Sequence, residues 1–240
     1  VFIDLNKRGI YPKAIIAVNI YGMPLDVDKL LEISKKYNIK LIEDSAESLG
    51  AKFKGINTGT KGDFGILSFN NNKILSTGGG GGLICKDIKQ KKMILYYANQ
   101  AREKGLDYTH KALGFNYRFS NIQAIVGLVQ LKYLNENIEK RMKVNRFYKK
   151  VFKDVNGVKL FKETSTNYQS NHWLSCILVD EKRAGFSNKE LLTILKKEYI
   201  ESRRLWKPMH LQPLFKNYNY YGGNIAEELY NNGLCLPSGS

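Results

Sequence analysis

The first part of the chain constrains the fold most, because it predicts a strand, a helix and a second strand in close succession. Residues 14–20 form a short apolar run that is typical of a buried strand. Residues 26–37 carry apolar side chains at helical spacing, with Asp26 as the predicted N-cap, and residues 40–44 predict the next strand. Such a succession within about 30 residues predicts a right-handed βαβ unit in a parallel sheet, and so an α/β fold.

Asp44 is the last residue of the second predicted strand. Open α/β sheets bind ligands at the carboxyl ends of their strands, so Asp44 is a candidate site residue. A strand-end aspartate is also often only a cap for the helix that follows. Both interpretations stay open on this residue alone.

Lys73 lies in a polar turn, residues 68–73, between predicted strands at residues 64–69 and 82–85. A run of five glycines, residues 78–82, follows it. The phosphate-loop pattern is absent because the lysine precedes the glycines, and the dinucleotide pattern fails at Leu83. An amine with a fixed carboxylate is what a pyridoxal phosphate enzyme needs, for the Schiff base and for the pyridine nitrogen. The alternative is a flexible hairpin with an exposed lysine.

The rest of the chain predicts further helices and a second domain. Helical patterns cover residues 88–104 and 121–153, the second of which is long enough to connect two domains. We expect a large domain over residues 1–150 and a small α+β domain over residues 151–240. The small domain is predicted to contain a strand within residues 158–180 and helices at 187–199 and 225–232.

Composition is that of an ordinary globular protein, with 43% hydrophobic and 12% aromatic residues among 240. No apolar run approaches the ~20 residues of a membrane span, and no signal peptide opens the chain. Three separate cysteines and three scattered histidines lack metal-ligand spacing. These features predict a reduced, cytoplasmic protein without a metal site. Because the chain opens on Val1, we interpret it as a fragment or as lacking an opening segment.

The formal net charge of +16 would permit binding to polyanions. Lysines occur on nearly every segment, however, and the densest group, residues 86–92, is expected on a solvated helix start. No nucleic-acid-binding motif accompanies the charge, so neither a nucleic-acid nor a membrane partner is predicted. A substrate carrying phosphates would benefit equally from this charge.

Several segments in fixed order resemble the DegT/DnrJ/StrS sugar aminotransferases. They are IEDSAESLG (42–50), GDFG (62–65), SFNNNK (68–73), TGGGG (77–81) and GFNYRFSN (114–121). The resemblance extends over essentially the whole chain. It implies a fold-type I pyridoxal phosphate transferase (aspartate aminotransferase-like), with a mainly parallel sheet and a smaller α+β C-terminal domain.

The resemblance also implies roles for individual residues. Lys73 matches the lysine that forms the Schiff base, and Asp44 matches the carboxylate on the pyridine nitrogen. Glu47 matches a position, often glutamine, that lies against the ring near its hydroxyl. Ser68 matches a phosphate-binding hydroxyl, and Asn116 an asparagine that reaches the phosphate in the neighbouring subunit. Because a related branch with histidine in place of the lysine performs deoxygenation, Lys73 favours transamination.

The C-terminal segments NHWLS (171–175), ESRRLWKPMH (201–210) and CLPSG (235–239) resemble a particular branch of the family. That branch acts on UDP-linked 4-keto-6-deoxy-N-acetylhexosamines and makes bacillosamine-type sugars. Arg203 would suit a diphosphate and Trp206 a flat uracil or sugar face, with Asn72 and His210 as further substrate residues. The alternatives are a surface ion pair for Arg203 and a core role for Trp206.

The resemblance implies a cytoplasmic homodimer that transfers the amino group of glutamate to C4 of such a sugar, in surface glycan or lipopolysaccharide biosynthesis. The alternatives are a dTDP- or GDP-linked substrate, a C3-keto sugar, or a non-catalytic regulator. One part of the family pattern has no counterpart here. It is the opening segment with its Gly-Thr/Ser phosphate cup and an aromatic residue that stacks on the ring.

Overall fold

A computed structural model describes residues 1–239, which form two compact units. The first, here called the lysine unit, comprises Pro12–Glu136 and Asn167–Ser170. The second, the C-terminal unit, comprises Val1–Tyr11, Asn137–Thr166 and the chain from Asn171 onward. The division between the units therefore falls near residue 136. The proposed domain boundary at residue 150 stays a prediction about the intact protein.

The lysine unit is built on a four-stranded sheet in the order β1-β2-β5-β6. Strands β1, β2 and β5 are parallel, and β6 is an antiparallel edge strand on β5. A small antiparallel sheet, β4-β3-β8, lies in the same unit. The strands are β1 (Ala14–Val18), β2 (Lys40–Asp44), β3 (Lys52–Phe53), β4 (Ile56–Asn57), β5 (Phe64–Ser68), β6 (Gly81–Cys85) and β8 (Tyr168–Gln169).

The predicted strand–helix–strand unit is confirmed. Helix α2 (Val27–Tyr37) connects β1 to β2 and ends at Asn38, whose φ of 50° is the left-handed conformation of many helix C-termini. Its N-cap is Asp26, as predicted, although no side-chain capping hydrogen bond forms. Buried Ala17, Leu41 and other apolar side chains make one core between the helix and the sheet.

Two predicted helices are shorter than the sequence pattern suggested. Helix α3 (Ile88–Ala98) ends six residues early, because the backbone of Gln100 and Ala101 turns to positive φ. The pattern over residues 121–153 is two helices, α4 (Asn121–Lys132) and α5 (Leu134–Val151), separated at Tyr133. The hydrophobic periodicity continues through the break, which explains why the sequence predicted one helix.

The C-terminal unit is an α+β arrangement around the antiparallel sheet β10-β11-β9-β7. The predicted strand within residues 158–180 is three separate strands, two of which belong to this sheet. Its elements besides α5 are α1 (Phe2–Lys7), β7 (Val158–Leu160), β9 (Ser175–Val179), α6 (Glu181–Ala184), α7 (Asn188–Lys197), β10 (Arg203–Arg204), α8 (Ile225–Asn232) and β11 (Gly233–Leu236). A core of buried valine, isoleucine and leucine side chains lies on the sheet, with Tyr148 and Phe152 packed against it.

Within residues 1–239, no helix is both long and apolar enough to cross a bilayer.

Candidate active site

Asp44 ends β2 at the carboxyl edge of the parallel sheet, as the sequence predicted. It pairs in register with Val18 of β1 and Ile66 of β5. Its Oδ1 accepts a hydrogen bond from the N–H of Ala46 at 3.1 Å, which shapes the turn that leaves the strand. The next residue is also fixed, because the side chain of Asn19 donates to Ser45 Oγ at 3.0 Å. Asp44 is therefore both a turn-forming residue and a carboxylate at the edge where open α/β sheets bind ligands.

Lys73 is not an exposed hairpin lysine. Its N–H donates to the carbonyl of Asn70 at 3.0 Å, which closes a tight turn after β5. The two residues that follow, Ile74 and Leu75, are buried and anchor the loop in the unit. Only 12% of the surface of the Lys73 side chain is exposed to solvent. The alternative of a flexible hairpin with a solvent-exposed amine is therefore wrong.

The amine of Lys73 faces two carboxylates. Its Nζ lies 3.7 Å from Glu47 Oε1. The Asp44 carboxylate is close enough to act on the same amine electrostatically. Burial lowers the pKa of Lys73, and the charges of Glu47 and Asp44 partly oppose that effect. Because a lower pKa means a larger neutral fraction at a given pH, more of this amine is in the nucleophilic form than in a surface lysine.

Glu47 is held in place by the backbone of Tyr21. The N–H of Tyr21 donates to Glu47 Oε2 at 2.6 Å, and this leaves Oε1 toward Lys73. Tyr21 has a φ of 56°, in the left-handed region that a bulky residue rarely adopts. The strained turn after β1 thus aims a donor at the site. The sequence did not predict a role for Tyr21, because the contact uses its backbone N–H, which every residue except proline carries.

A second residue that sequence reasoning missed is Glu43. It is almost completely buried, and its carboxylate accepts from the N–H groups of Gly59, Lys61 and Gly62 at 2.6–2.9 Å. The carboxylate ties β2 to the loop before β5. An acidic residue inside an otherwise apolar strand was the available signal.

The glycine run packs against an aromatic ring. At Gly80, with a φ of +83°, a Cβ would lie 2.0 Å from the ring of Phe119. The Gly80 carbonyl accepts from the N–H of Phe69, which closes the loop that carries Lys73. Phe119 therefore occupies the space that a side chain at position 80 would need, and only glycine fits there.

Ser68 and Asn116 belong to the same unit as Lys73. Ser68 is the last residue of β5, and its Oγ accepts a long hydrogen bond of 3.5 Å from the Asn70 N–H. Asn116 is exposed and forms a β-bridge with Asn99. Asn72 is also exposed, at the tip of the turn that holds Lys73. These positions leave the proposed phosphate and substrate roles as predictions.

Arg203, Trp206 and His210 lie in the C-terminal unit. Arg203 forms an exposed ion pair with Glu201, as in the alternative considered for it. Trp206 keeps 36% of its surface exposed, with its ring centroid 6.3 Å from that of Trp173. His210 stacks on Tyr220 at 3.8 Å. Their proposed substrate contacts stay predictions.

The lysine site has the chemistry that pyridoxal phosphate requires. A desolvated amine with a lowered pKa suits an aldehyde, and a strand-end carboxylate suits a protonated ring nitrogen. Lys73, Asp44 and Glu47 would hold the aldehyde and ring, and Ser68 would hold the phosphate.

Residues 5–240 match the model of the DegT/DnrJ/EryC1/StrS aminotransferase family. The chain belongs to this family. Its aminotransferases use pyridoxal phosphate as their cofactor.

Individual relatives give the extent of the similarity. EpsN of Bacillus subtilis (strain 168), named provisionally as a pyridoxal phosphate-dependent aminotransferase, is 42% identical over 99% of this chain and 61% of its own length. GDP-perosamine synthase of Escherichia coli O157:H7 is 34% identical over 94% of this chain and 60% of its own. The UDP-4-amino-4,6-dideoxy-N-acetyl-beta-L-altrosamine transaminase of Campylobacter jejuni (strain 81-176) is 32% identical over 93% of this chain and 60% of its own length.

The fold agrees with that of a solved relative. A DegT DnrJ EryC1 StrS aminotransferase from Brucella abortus superposes with a TM-score of 0.86 at 28% identity, over 99% of this chain and 62% of that one. The chain spans 60–61% of the length of the three curated relatives named above. The fold-type I assignment is confirmed.

Proposed function

We propose that the intact protein is a pyridoxal phosphate-dependent aminotransferase that converts a UDP-linked 4-keto-6-deoxy-N-acetylhexosamine to its 4-amino sugar. Glutamate is the proposed amino donor, and surface glycan biosynthesis in the cytoplasm is the proposed setting. The observation that carries the proposal is the half-buried Lys73 amine, 3.7 Å from Glu47 and within electrostatic reach of Asp44. The similarity to the Campylobacter UDP-sugar transaminase supports the substrate class.

Pyridoxal phosphate, when bound, supplies an aldehyde and a ring that accepts electrons from a neighbouring carbon. Lys73 would hold the aldehyde carbon through its amine, whose desolvated position favours the neutral form. The same amine would take a proton from the donor carbon that carries the transferred nitrogen and deliver it to the former aldehyde carbon, as general base and then general acid. Asp44 would hold a proton on the pyridine nitrogen.

The other proposed site residues bind rather than react. Ser68 would donate a hydrogen bond to the cofactor phosphate, and Asn116 would reach the phosphate bound by the second subunit of a homodimer. Asn72, Arg203, Trp206 and His210 are the proposed contacts to the nucleotide sugar. An arginine and an aromatic face suit a diphosphate and a planar base.

The experiment that tests the reaction class is borohydride reduction of the protein with pyridoxal phosphate, followed by peptide mass spectrometry. We expect a pyridoxyl group on Lys73 of the wild type and none at that peptide in Lys73→Ala. Lys54→Ala, which removes an exposed lysine of the same unit, is the control and should leave Lys73 labelled. The assignment would be contradicted if the Lys73→Ala protein took up as much label as the wild type and the label were spread over surface lysines.

The substrate class requires a second test, in which glutamate is combined with UDP-, GDP- and dTDP-linked 4-keto sugars. We expect the highest kcat/KM with the UDP-linked N-acetyl sugar. The alternative is a GDP-linked substrate, which the 34% identity to GDP-perosamine synthase favours. A preference for the GDP sugar would contradict the proposed substrate class and leave the proposed aminotransferase reaction in place.

A further inference from the structure

The C-terminal unit contains a cavity of about 410 Å³ that the proposed reaction does not use. The last turns of α5, the segment after β7 and His172 line it. None of its lining residues belongs to the lysine unit. Its volume lies in the range of about 300–1,000 Å³ that small-molecule sites occupy. We call it the basic cavity.

Four cations line the basic cavity. Arg146, Lys149 and Lys153 are spaced by three and four residues, which places them on one side of the α5 end and the turn that follows it. Lys162 comes from the segment after β7. Among residues 1–239, none of these four makes an ion pair with a carboxylate. Like charges at the three- and four-residue spacing of Arg146, Lys149 and Lys153 repel one another, and a bound anion would relieve that repulsion.

The one carboxylate in the lining is already paired. Glu163 Oε1 lies 3.1 Å from Nε2 of His172, whose side chain is only 11% exposed. His172 has a φ of 49°, and the buried Asn171 beside it accepts from the Trp173 N–H at 2.9 Å. The histidine is therefore held in a fixed turn at the cavity wall. The lining therefore holds four cations and one carboxylate, and that carboxylate is paired with His172.

The floor of the basic cavity is apolar. Met142, Phe152 and Leu160 contribute to it, and Phe152 also packs against the core of the unit. A cavity with a cationic rim and an aromatic floor suits a ligand that has both an anionic group and a flat apolar body.

We propose that the basic cavity binds a phosphate monoester with a flat apolar body, such as a nucleoside monophosphate. Arg146 offers the planar fork that matches a phosphate, and the lysines add compact positive charge. The floor receives the apolar body. This ligand site is additional to the proposed aminotransferase reaction at Lys73.

The test is isothermal titration calorimetry of the purified protein with adenosine monophosphate and with inorganic phosphate. The variants are Lys149→Ala and Lys162→Ala. Lys150→Ala is the matched control, because Lys150 neighbours Lys149 on α5 and does not line the cavity. We expect each lining variant to bind adenosine monophosphate at least about fivefold more weakly than the wild type, since a charge-assisted contact is lost. The control should stay within about twofold.

A second readout locates the ligand at His172. Burial lowers the pKa of this imidazole, the charge of Glu163 partly opposes that effect, and Arg146 lowers the pKa further. An anion bound beside the ring would raise the pKa. In NMR titrations, the His172 ring signal should therefore move to a higher midpoint with adenosine monophosphate.

Three results would overturn the proposal. They are the absence of saturable binding, equal weakening by Lys149→Ala and Lys150→Ala, and an unchanged His172 midpoint at saturating ligand. If inorganic phosphate and adenosine monophosphate bound with equal affinity, the proposal that the apolar floor receives a flat body would be wrong. Borohydride labelling of Lys73 should be unchanged in all three variants, so failure here is distinguishable from failure of the proposed reaction.

Discussion

At the scale of the residue, the charge state of Lys73 depends on burial and on the nearby carboxylate of Glu47. Burial makes the charged amine costly, and the carboxylate 3.7 Å away makes it less so. The Tyr21 N–H fixes one oxygen of Glu47, so the other keeps its position toward the amine. Glu47 therefore reduces the neutral fraction of Lys73 that burial favours.

Replacing Glu47 with glutamine should lower the pKa of Lys73 further, because the charge and hydrogen bond that raise it are lost. Reductive labelling with a small aldehyde across pH, with peptide mass spectrometry, would follow the neutral amine. In the wild type, Lys73 should label at lower pH than Lys54, whose pKa is raised by Asp28. Glu47→Gln should move the Lys73 curve to still lower pH and leave Lys54 unchanged. A shift to higher pH would show that Glu47 does not act on the amine.

At the scale of the element, β2 is attached to the loop before β5 by a buried charge. The buried Glu43 carboxylate accepts hydrogen bonds from three backbone N–H groups. These donors would lose their partner if the carboxylate were removed. The same strand presents Asp44 at its end. A disturbance of this attachment should therefore reach the site.

Replacing Glu43 with glutamine should reduce the free energy of unfolding by about 2 kcal/mol, because an amide NH₂ would face a backbone donor. Urea denaturation would measure this as a lower midpoint with an unchanged m-value. Glu32→Gln, on the exposed side of α2, is the control and should change stability by less than about 0.5 kcal/mol. Equal effects would mean that the buried hydrogen bonds contribute little.

The glycine loop supplies a second prediction at this scale. Gly78 and Gly80 both have positive φ, but only Gly80 faces the ring of Phe119 at a clashing distance. Gly78→Ala should cost about 1 kcal/mol of stability for backbone strain alone. Gly80→Ala should cost at least about 2 kcal/mol, because the ring must also move. Thermal denaturation would rank the two, and a Phe119→Ala background should reduce the difference between them.

At the scale of the whole molecule, the net charge of +16 produces a positive field that acts on any polyanion. The lysine unit and the C-terminal unit both carry many of these lysines. A non-specific association with nucleic acid is expected from charge alone, without a nucleic-acid function.

Binding to double-stranded DNA should therefore be weak, independent of sequence and strongly dependent on salt. Between 50 and 200 mM salt we expect the affinity to fall on the order of 10³-fold, because counterion release drives the binding. Fluorescence anisotropy with two unrelated duplexes would measure it. Tight binding of one duplex that persists at high salt would instead favour a nucleic-acid-binding function.

The sequence by itself determined the α/β class, the order of strand, helix and strand, and the candidates Lys73 and Asp44. These follow from local information, since strand and helix periodicities and turn residues act over a few neighbours. The same local information missed the break at Tyr133 and the three short strands within residues 158–180. A hydrophobic pattern continues unchanged through such breaks.

Three features depend on tertiary contacts: the half-buried position of Lys73, the orientation of Glu47 by the Tyr21 N–H, and the position of Phe119 against Gly80. Each of these contacts joins residues that lie 26 or more positions apart in the chain. Burial and the pKa of an amine depend on such distant neighbours, because desolvation is a property of the packed environment and not of the residue.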